Sequence, residues 1–112
     1  MSFQHKELAN GRWEKLSLIE QLANVGSDVL RAISWKNKGD KEQAQAAFYR
    51  SLELIDLTIR DKKNIHRLYE VIRMREVWAS YFTNEEKYGY TEKAWEQYFN
   101  NFAYAANLKR GL

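Results

Sequence analysis

Six lysine and arginine residues lie between positions 60 and 75, where only two acidic residues accompany them. The whole chain has a net charge of +3, so this segment carries more than the entire positive excess. A basic cluster of this kind can face the phosphates of a nucleic acid, and that interpretation makes Lys62, Lys63 and Arg67 candidates for nucleic-acid binding. The alternative is a solvated surface at a break between two helices.

Other sets of residues that support catalysis are missing from the sequence. Cysteine is absent, which excludes disulfides and thiolate chemistry. The two histidines, His5 and His66, both lack the glutamate three positions earlier that di-iron helical bundles use. No Gly-x-Ser-x-Gly turn and no glycine-rich phosphate loop occurs. We therefore expect no metal and no cofactor, and the sequence favours a non-enzymatic role.

Aromatic residues are concentrated towards the end of the chain. Of the sixteen aromatic residues, ten lie between Trp78 and Tyr104. One interpretation is an aromatic-rich core. The other is a surface for a second copy of the chain or for a protein partner, because tyrosine and tryptophan are enriched in the binding hot spots of interfaces. The candidate interface residues are Tyr88, Tyr90, Trp95 and Tyr104.

Apolar residues at three- and four-residue spacing predict the helices that must position these side chains. With 112 residues, no proline and no alternating segment long enough for a strand, the chain is expected to form one all-α domain over residues 1–112. The expected architecture is an antiparallel up-down four-helix bundle that follows a short N-terminal segment. In its third helix, Ile65 and Ile72 are expected on the buried face. The four helices are predicted at about 18–36, 41–59, 65–82 and 92–109.

Several residues mark where these helices begin and end. Ser17 and Glu20 have the spacing of a capping box. Gly39 followed by Asp40 is typical of one helix ending and the next being capped. Inside the first helix, the missing side chain of Gly26 is expected to let another part of the chain come close.

An internal similarity relates the second and fourth helices. Gly39 is followed by an alanine five positions later, an aromatic residue after four more and a large apolar residue after another four; Gly89 is followed by the same pattern. This pattern resembles the turn and second helix of a tetratricopeptide unit, over about half of the chain. The two glycines are 50 residues apart, whereas tetratricopeptide units repeat about every 34 residues. The alternative interpretation is that two helical hairpins share the same packing rules.

The basic segment also carries a resemblance. The run Arg60-Asp61-Lys62-Lys63-Asn64-Ile65-His66 is similar to the motif of HEPN domains, in which an arginine, a polar residue and a short spacer precede a histidine. HEPN domains are small helical bundles, many of them dimeric RNases or nucleotide-binding partners of nucleotidyltransferases. The resemblance implies that Arg60 stabilises charge that develops on a phosphate and that His66 transfers protons.

The same segment has a purely structural interpretation. Arg60 would meet the negative end of a helix dipole. Asp61 or Asn64 would cap the next helix, and His66 would be a surface residue in its first turn.

Together these observations favour a non-enzymatic helical bundle that works through protein–protein contacts and forms homo-oligomers. The alternative is a HEPN-like RNA-binding or RNA-cleaving domain that uses Arg60 and His66. No segment approaches the ~18 apolar residues of a membrane span, and the first residues show no secretory pattern. A cytoplasmic location without a membrane partner is therefore expected.

Overall fold

The computed structural model describes residues 11–83 and 89–109. No strand occurs within these ranges, and the prediction of an all-α four-helix bundle is confirmed. Two short 3₁₀ helices, Trp13–Lys15 and Lys62–Arg67, precede the first and third α-helices. The α-helices are α1 (Leu18–Asn37), α2 (Lys41–Arg60), α3 (Leu68–Phe82) and α4 (Glu92–Lys109).

The first two α-helices begin where their capping residues predict. Ser17 Oγ accepts a hydrogen bond from the backbone N–H of Glu20 at 3.2 Å, and the Glu20 carboxylate accepts one from the Ser17 N–H at 3.0 Å. Before α2, Gly39 has a φ of +81°, which a residue without a Cβ adopts at little cost. Asp40 then accepts from the N–H of Gln43 at 3.0 Å. The short connection makes α1 and α2 an antiparallel hairpin.

Contacts at two levels show that α3 runs antiparallel to α2. Near the start of α2, the ring of Phe48 stacks on Phe82 at the end of α3, with the ring centroids 4.2 Å apart. Further along α2, Ser51 Oγ accepts a hydrogen bond from Trp78 Nε1 at 2.9 Å. Trp78 is fully buried, so its indole N–H needs this partner.

Helix α4 packs against α1 at a place where α1 has no side chain. The ring of Phe99 lies so close to Gly26 that a Cβ added to the glycine would be 2.7 Å from the Phe99 Cβ. At the end of α1, the amide of Asn37 donates a hydrogen bond to Glu92 in the first turn of α4, so these helices are also antiparallel. The close approach expected at Gly26 is confirmed, and the neighbour is the side chain of Phe99.

The aromatic-rich end of the sequence supplies much of the core. The rings of Phe48, Phe82 and Trp95 surround Trp78, with centroids 5.5–5.6 Å from its own. The remaining core side chains are largely aliphatic and come mainly from α1 and α2. They include Leu22, Val25, Val29, Ile33, Leu54 and Ile55.

The third α-helix begins at Leu68 and not at position 65, because the residues before it form a 3₁₀ helix. A 3₁₀ helix winds more tightly than an α-helix, so it changes which side chains face the bundle. Ile65 is 61% exposed and Ile72 is 38% exposed. The prediction that both are buried is therefore wrong.

The two segments that resemble each other in sequence have the same local structure. Gly89 has a φ of +71°, close to that of Gly39. Thr91 then accepts a hydrogen bond from the N–H of Ala94 at 3.2 Å, as Asp40 does at the start of α2. In both segments, a glycine in the left-handed backbone conformation is followed by a capped helix. The resemblance to a tetratricopeptide unit stays a prediction.

We expect Gly26→Ala to lower the free energy of unfolding by about 1–3 kcal/mol, the usual cost of overpacking a close-packed interior. The loss should appear although alanine is about 1 kcal/mol more favourable than glycine within a helix. Chemical denaturation followed by circular dichroism measures it. Ser27→Ala, at the exposed neighbouring position, is the control and should be neutral or stabilising. Equal stability of Gly26→Ala and wild type would contradict the packing described here.

Candidate functional site

The basic segment between α2 and α3 is organised by Asp61. Helix α2 ends at Arg60, where a cation meets the negative end of the helix dipole. Asp61 Oδ1 then accepts a hydrogen bond from the backbone N–H of Lys63 at 3.1 Å, at the start of the 3₁₀ helix Lys62–Arg67. Of the two capping residues that the sequence allows, Asp61 is therefore the cap.

Asp61, Gln21 and Asn64 form a buried polar network between α1 and the basic segment. Gln21 Nε2 donates to Asp61 Oδ2 at 2.8 Å, and Asn64 Nδ2 donates to Gln21 Oε1 at 2.8 Å. Asn64 Nδ2 also donates to the carbonyl oxygen of Thr58 at 3.0 Å. The network side chains are at most 6% exposed. Because buried polar groups are costly without partners, these hydrogen bonds hold the segment in one conformation.

The network also holds the residues that precede α1. Trp13 is 2% exposed, and its Nε1 donates to Thr58 Oγ1 at 3.0 Å. The carbonyl oxygen of Trp13 accepts from Gln21 Nε2 at 3.0 Å. The amine of Lys63 donates to the Asp61 carboxylate. Hydrogen bonds of this network therefore hold the residues just before α1 against the end of α2.

The charge of Asp61 is stabilised by its neighbours. Burial alone raises the pKa of this carboxyl, but the hydrogen bonds from Lys63 and Gln21 outweigh burial and hold the pKa below its usual range. The folded state therefore favours the carboxylate form of Asp61.

The two catalytic candidates, Arg60 and His66, both lie on the surface. Arg60 is in the last turn of α2 and His66 is in the 3₁₀ helix, and both are exposed. Neither side chain lines the groove that lies between α3 and α4. RNA cleavage by this pair stays a prediction from the HEPN resemblance.

The candidate nucleic-acid residues differ in their surroundings. Lys62 is exposed. Lys63 pairs with Asp61, and Arg67 donates two hydrogen bonds to one oxygen of Glu70, with its Nε and Nη2 at 3.0 and 2.6 Å from Oε1. The two acidic residues of the segment are thus each set against one of its cations.

The aromatic interface candidates divide into surface and core. Tyr90 is 46% exposed and Tyr104 is 68% exposed, whereas Trp95 is 2% exposed and belongs to the core. Tyr88 lies outside the described residues. Of the interface candidates that the structure describes, Tyr90 and Tyr104 therefore have rings that a partner could contact.

A groove of about 260 Å³ lies between α3 and α4. Within the residues described, the indole N–H of Trp95 in its lining has no hydrogen-bond partner. A mostly apolar concavity of this kind suits an apolar or aromatic group. The apolar and aromatic members of the lining are Tyr69, Met74, Val77, Tyr90, Trp95 and Tyr98.

The charged side chains that line the groove are Glu70 and Arg73. Glu70 Oε2 accepts from the hydroxyl of Tyr98 at 3.2 Å, and Oε1 is held by Arg67. Burial and the neighbouring charge of Glu70 raise the pKa of Tyr98 above its ordinary value. The Tyr98 hydroxyl therefore stays protonated at neutral pH and serves as a donor to Glu70.

An exposed apolar stripe borders this groove, and sequence reasoning missed it. The α3 stripe consists of Ile65, Tyr69 and Ile72, which are 61%, 83% and 38% exposed. Tyr69 and Ile72 are three residues apart in α3, a spacing that puts two side chains on one face of a helix, and Ile65 precedes them in the 3₁₀ helix. Tyr69 also lines the groove, so the stripe and the groove are continuous. The sequence signal was that α3 carries a second apolar face besides the buried one, which includes Val71 and Met74.

Comparison of the chain with models of protein families, with curated proteins and with solved structures finds no match. No helix in residues 11–83 and 89–109 is both long and apolar enough to cross a membrane. The same ranges contain no cluster of three or more histidine, aspartate or glutamate side chains that could hold a metal ion.

We expect Asp61→Asn to lower the free energy of unfolding at neutral pH by about 1.5–3 kcal/mol, because hydrogen bonds to a charged group are worth that much. The pKa of Asp61 is depressed in the folded state. Its stabilisation is therefore present above the unfolded pKa of about 3.9 and is lost as the pH falls through the lower folded value. Urea unfolding at a series of pH values should show the difference between wild type and variant shrinking below about pH 4.

The matched control is Asp56→Asn, which removes a partly exposed ion pair with Arg75, whose Nε lies 2.8 Å from Asp56 Oδ1. This change should alter the free energy of unfolding by at most about 1 kcal/mol. A difference between wild type and Asp61→Asn that stays constant down to the lowest pH would contradict the role given to the Asp61 charge.

Proposed function

We propose that this chain is a non-enzymatic helical-bundle module that acts by binding protein through the α3 stripe and the adjoining groove. The observation that carries the proposal is the exposure of Ile65, Tyr69 and Ile72 next to a concave aromatic surface. Contiguous exposed apolar side chains beside a groove are typical of interaction sites.

Contact with a partner protein would remove the apolar side chains of the α3 stripe from water. Complete burial of an isoleucine side chain is worth about 1.5–3 kcal/mol, and tyrosine is among the residues that dominate interface energies. Tyr69 has most of its ring in solvent, and Tyr90 across the groove is 46% exposed. A partner side chain in the groove would cover both rings.

The chemistry of this surface favours protein over nucleic acid. Isoleucine side chains such as Ile65 and Ile72 gain little from phosphates or sugars, whereas they bury well against apolar side chains. Four of the six basic residues of the segment are paired with acidic ones, which weakens the attraction for a polyanion. Those residues are Lys63, Arg67, Arg73 and Arg75.

The module acts in the cytoplasm, as the sequence leads us to expect, and it acts without a membrane partner. Self-association through this surface is the form of binding that the sequence favours.

A photo-crosslinking residue in place of Tyr69 tests the proposal in cells that express the chain. We expect a discrete covalent adduct with a protein, because Tyr69 is central to the proposed contact. The control is the same residue in place of Tyr49, which is 49% exposed on α2 and outside the surface. No protein adduct at position 69, or equal adducts at both positions, would contradict the proposal. Mass spectrometry of the adduct identifies the partner.

A further inference from the structure

The groove between α3 and α4 contains a hydrogen-bond donor without an acceptor. Trp95 lines the groove and is 2% exposed, and its indole N–H has no hydrogen-bond partner in the part of the chain that the structure describes. The buried indoles of Trp13 and Trp78 donate instead to Thr58 and Ser51. Because a buried donor without an acceptor costs free energy, a ligand that brings an acceptor to Trp95 gains more than the burial of apolar surface.

The walls of the groove favour an aromatic ring as occupant. Tyr69, Tyr90 and Tyr98 line the groove together with Trp95, and aromatic rings that meet edge to face or offset-stacked gain energy beyond their burial. The volume of about 260 Å³ is below the roughly 300–1,000 Å³ of small-molecule sites. Since Tyr69 also belongs to the α3 stripe, a protein on the stripe can place one large side chain in the groove.

The charged residues of the lining favour an uncharged side chain. Glu70 Oε2 accepts from the hydroxyl of Tyr98, and Oε1 accepts from Arg67. Arg73 Nη1 lies 4.0 Å from Glu76 Oε2. An anionic side chain would meet the carboxylate of Glu70, and a cationic one would meet the guanidinium of Arg73. The Glu70 carboxylate still has lone pairs for one more neutral donor.

We propose that the groove binds a tyrosine side chain of the partner protein, whose phenol oxygen accepts a hydrogen bond from Trp95 Nε1. The proposal rests on the proposed function and names the residue type that the partner inserts. Tyrosine is the uncharged side chain that joins an aromatic ring to an oxygen that both accepts and donates, whereas the tryptophan indole only donates and phenylalanine does neither. The hydroxyl hydrogen of the tyrosine can be donated to Glu70 in the same lining.

Two small probes test the chemistry of the groove on the purified wild type. p-Cresol and toluene are the side chains of tyrosine and phenylalanine without their backbone, and they differ by one hydroxyl. We expect p-cresol to bind about three- to tenfold more tightly, because one hydrogen bond is worth roughly that factor. A groove that offers no hydrogen bond would give the opposite order, because burial of an unpaired hydroxyl is unfavourable. Two-dimensional NMR titrations measure both affinities.

The indole N–H signals locate the bound probe. The signal of Trp95 should move to lower field with p-cresol, the direction expected for a new hydrogen bond, and should not do so with toluene. The signal of Trp13 is the control and should stay in place with both probes, since this indole already donates to Thr58.

Two variants separate the donor from the wall of the groove. Trp95→Phe keeps an aromatic ring but removes the donor, so the preference for p-cresol over toluene should disappear; circular dichroism checks that the variant is folded. Tyr69→Ala changes an exposed side chain and should weaken p-cresol binding at least about threefold. Tyr49→Ala, at an exposed position of α2, should leave binding unchanged.

The outcomes distinguish this inference from the proposed function. Binding of p-cresol no tighter than toluene, no low-field shift of the Trp95 signal, or a preference that persists in Trp95→Phe would each overturn the inference. If position 69 nevertheless crosslinks to a protein, the proposed function stands. Binding of p-cresol as expected, with no protein adduct at position 69, would overturn the proposed function and the partner's tyrosine and leave a site for phenols.

Discussion

A buried carboxylate needs hydrogen-bond donors for its oxygens, and Asp61 obtains them from separate parts of the chain. Gln21 of α1 donates to one oxygen, and the backbone of Lys63 donates to the other. The same glutamine amide also donates to the carbonyl of Trp13 and accepts from Asn64. The residues before α1, the helix α1, the end of α2 and the 3₁₀ helix therefore share one set of partners. Loss of any member leaves another buried group without its hydrogen bond.

The surface proposed to bind protein depends on this interior arrangement. Because the side chain of Asn64 is directed into the network, the residues that follow it, Ile65 and His66, lie on the surface. The 3₁₀ helix then delays the start of α3 to Leu68. From that start, Val71 faces the core while Tyr69 faces solvent. The exposure of the stripe is thus a consequence of how the preceding segment is held.

Local features of the fold could be predicted from the sequence because they depend on neighbours a few residues apart. The capping box of Ser17 and Glu20 and the turn at Gly39 are of this kind. The position of Gly26 under another part of the chain could also be predicted, since a helical glycine among apolar residues has few other uses. The partner, Phe99, could not be predicted, because periodicity does not show which helix faces which.

The candidate site was harder to predict, for two physical reasons. Gln21 and Asn64 are polar residues that are normally exposed, and they are buried through contacts with residues about forty positions away. In α3, apolar residues occur on two faces, and the spacing alone cannot decide whether Ile72 or Val71 is inside. The basic segment was recognised together with its own two acidic residues, but the pairing of Arg75 with Asp56, which lies outside the segment on α2, could not be read from the spacing.

The contact between Gly26 and Phe99 has a consequence for how the protein is made. The notch that Gly26 leaves on α1 is filled by a residue of the last helix, so the bundle cannot close until α4 has left the ribosome. Until then α1 and α2 present an incomplete core, and the nascent chain exposes apolar surface of the kind that chaperones recognise. The core of this small bundle is therefore completed by α4, the last of its four helices to be synthesised.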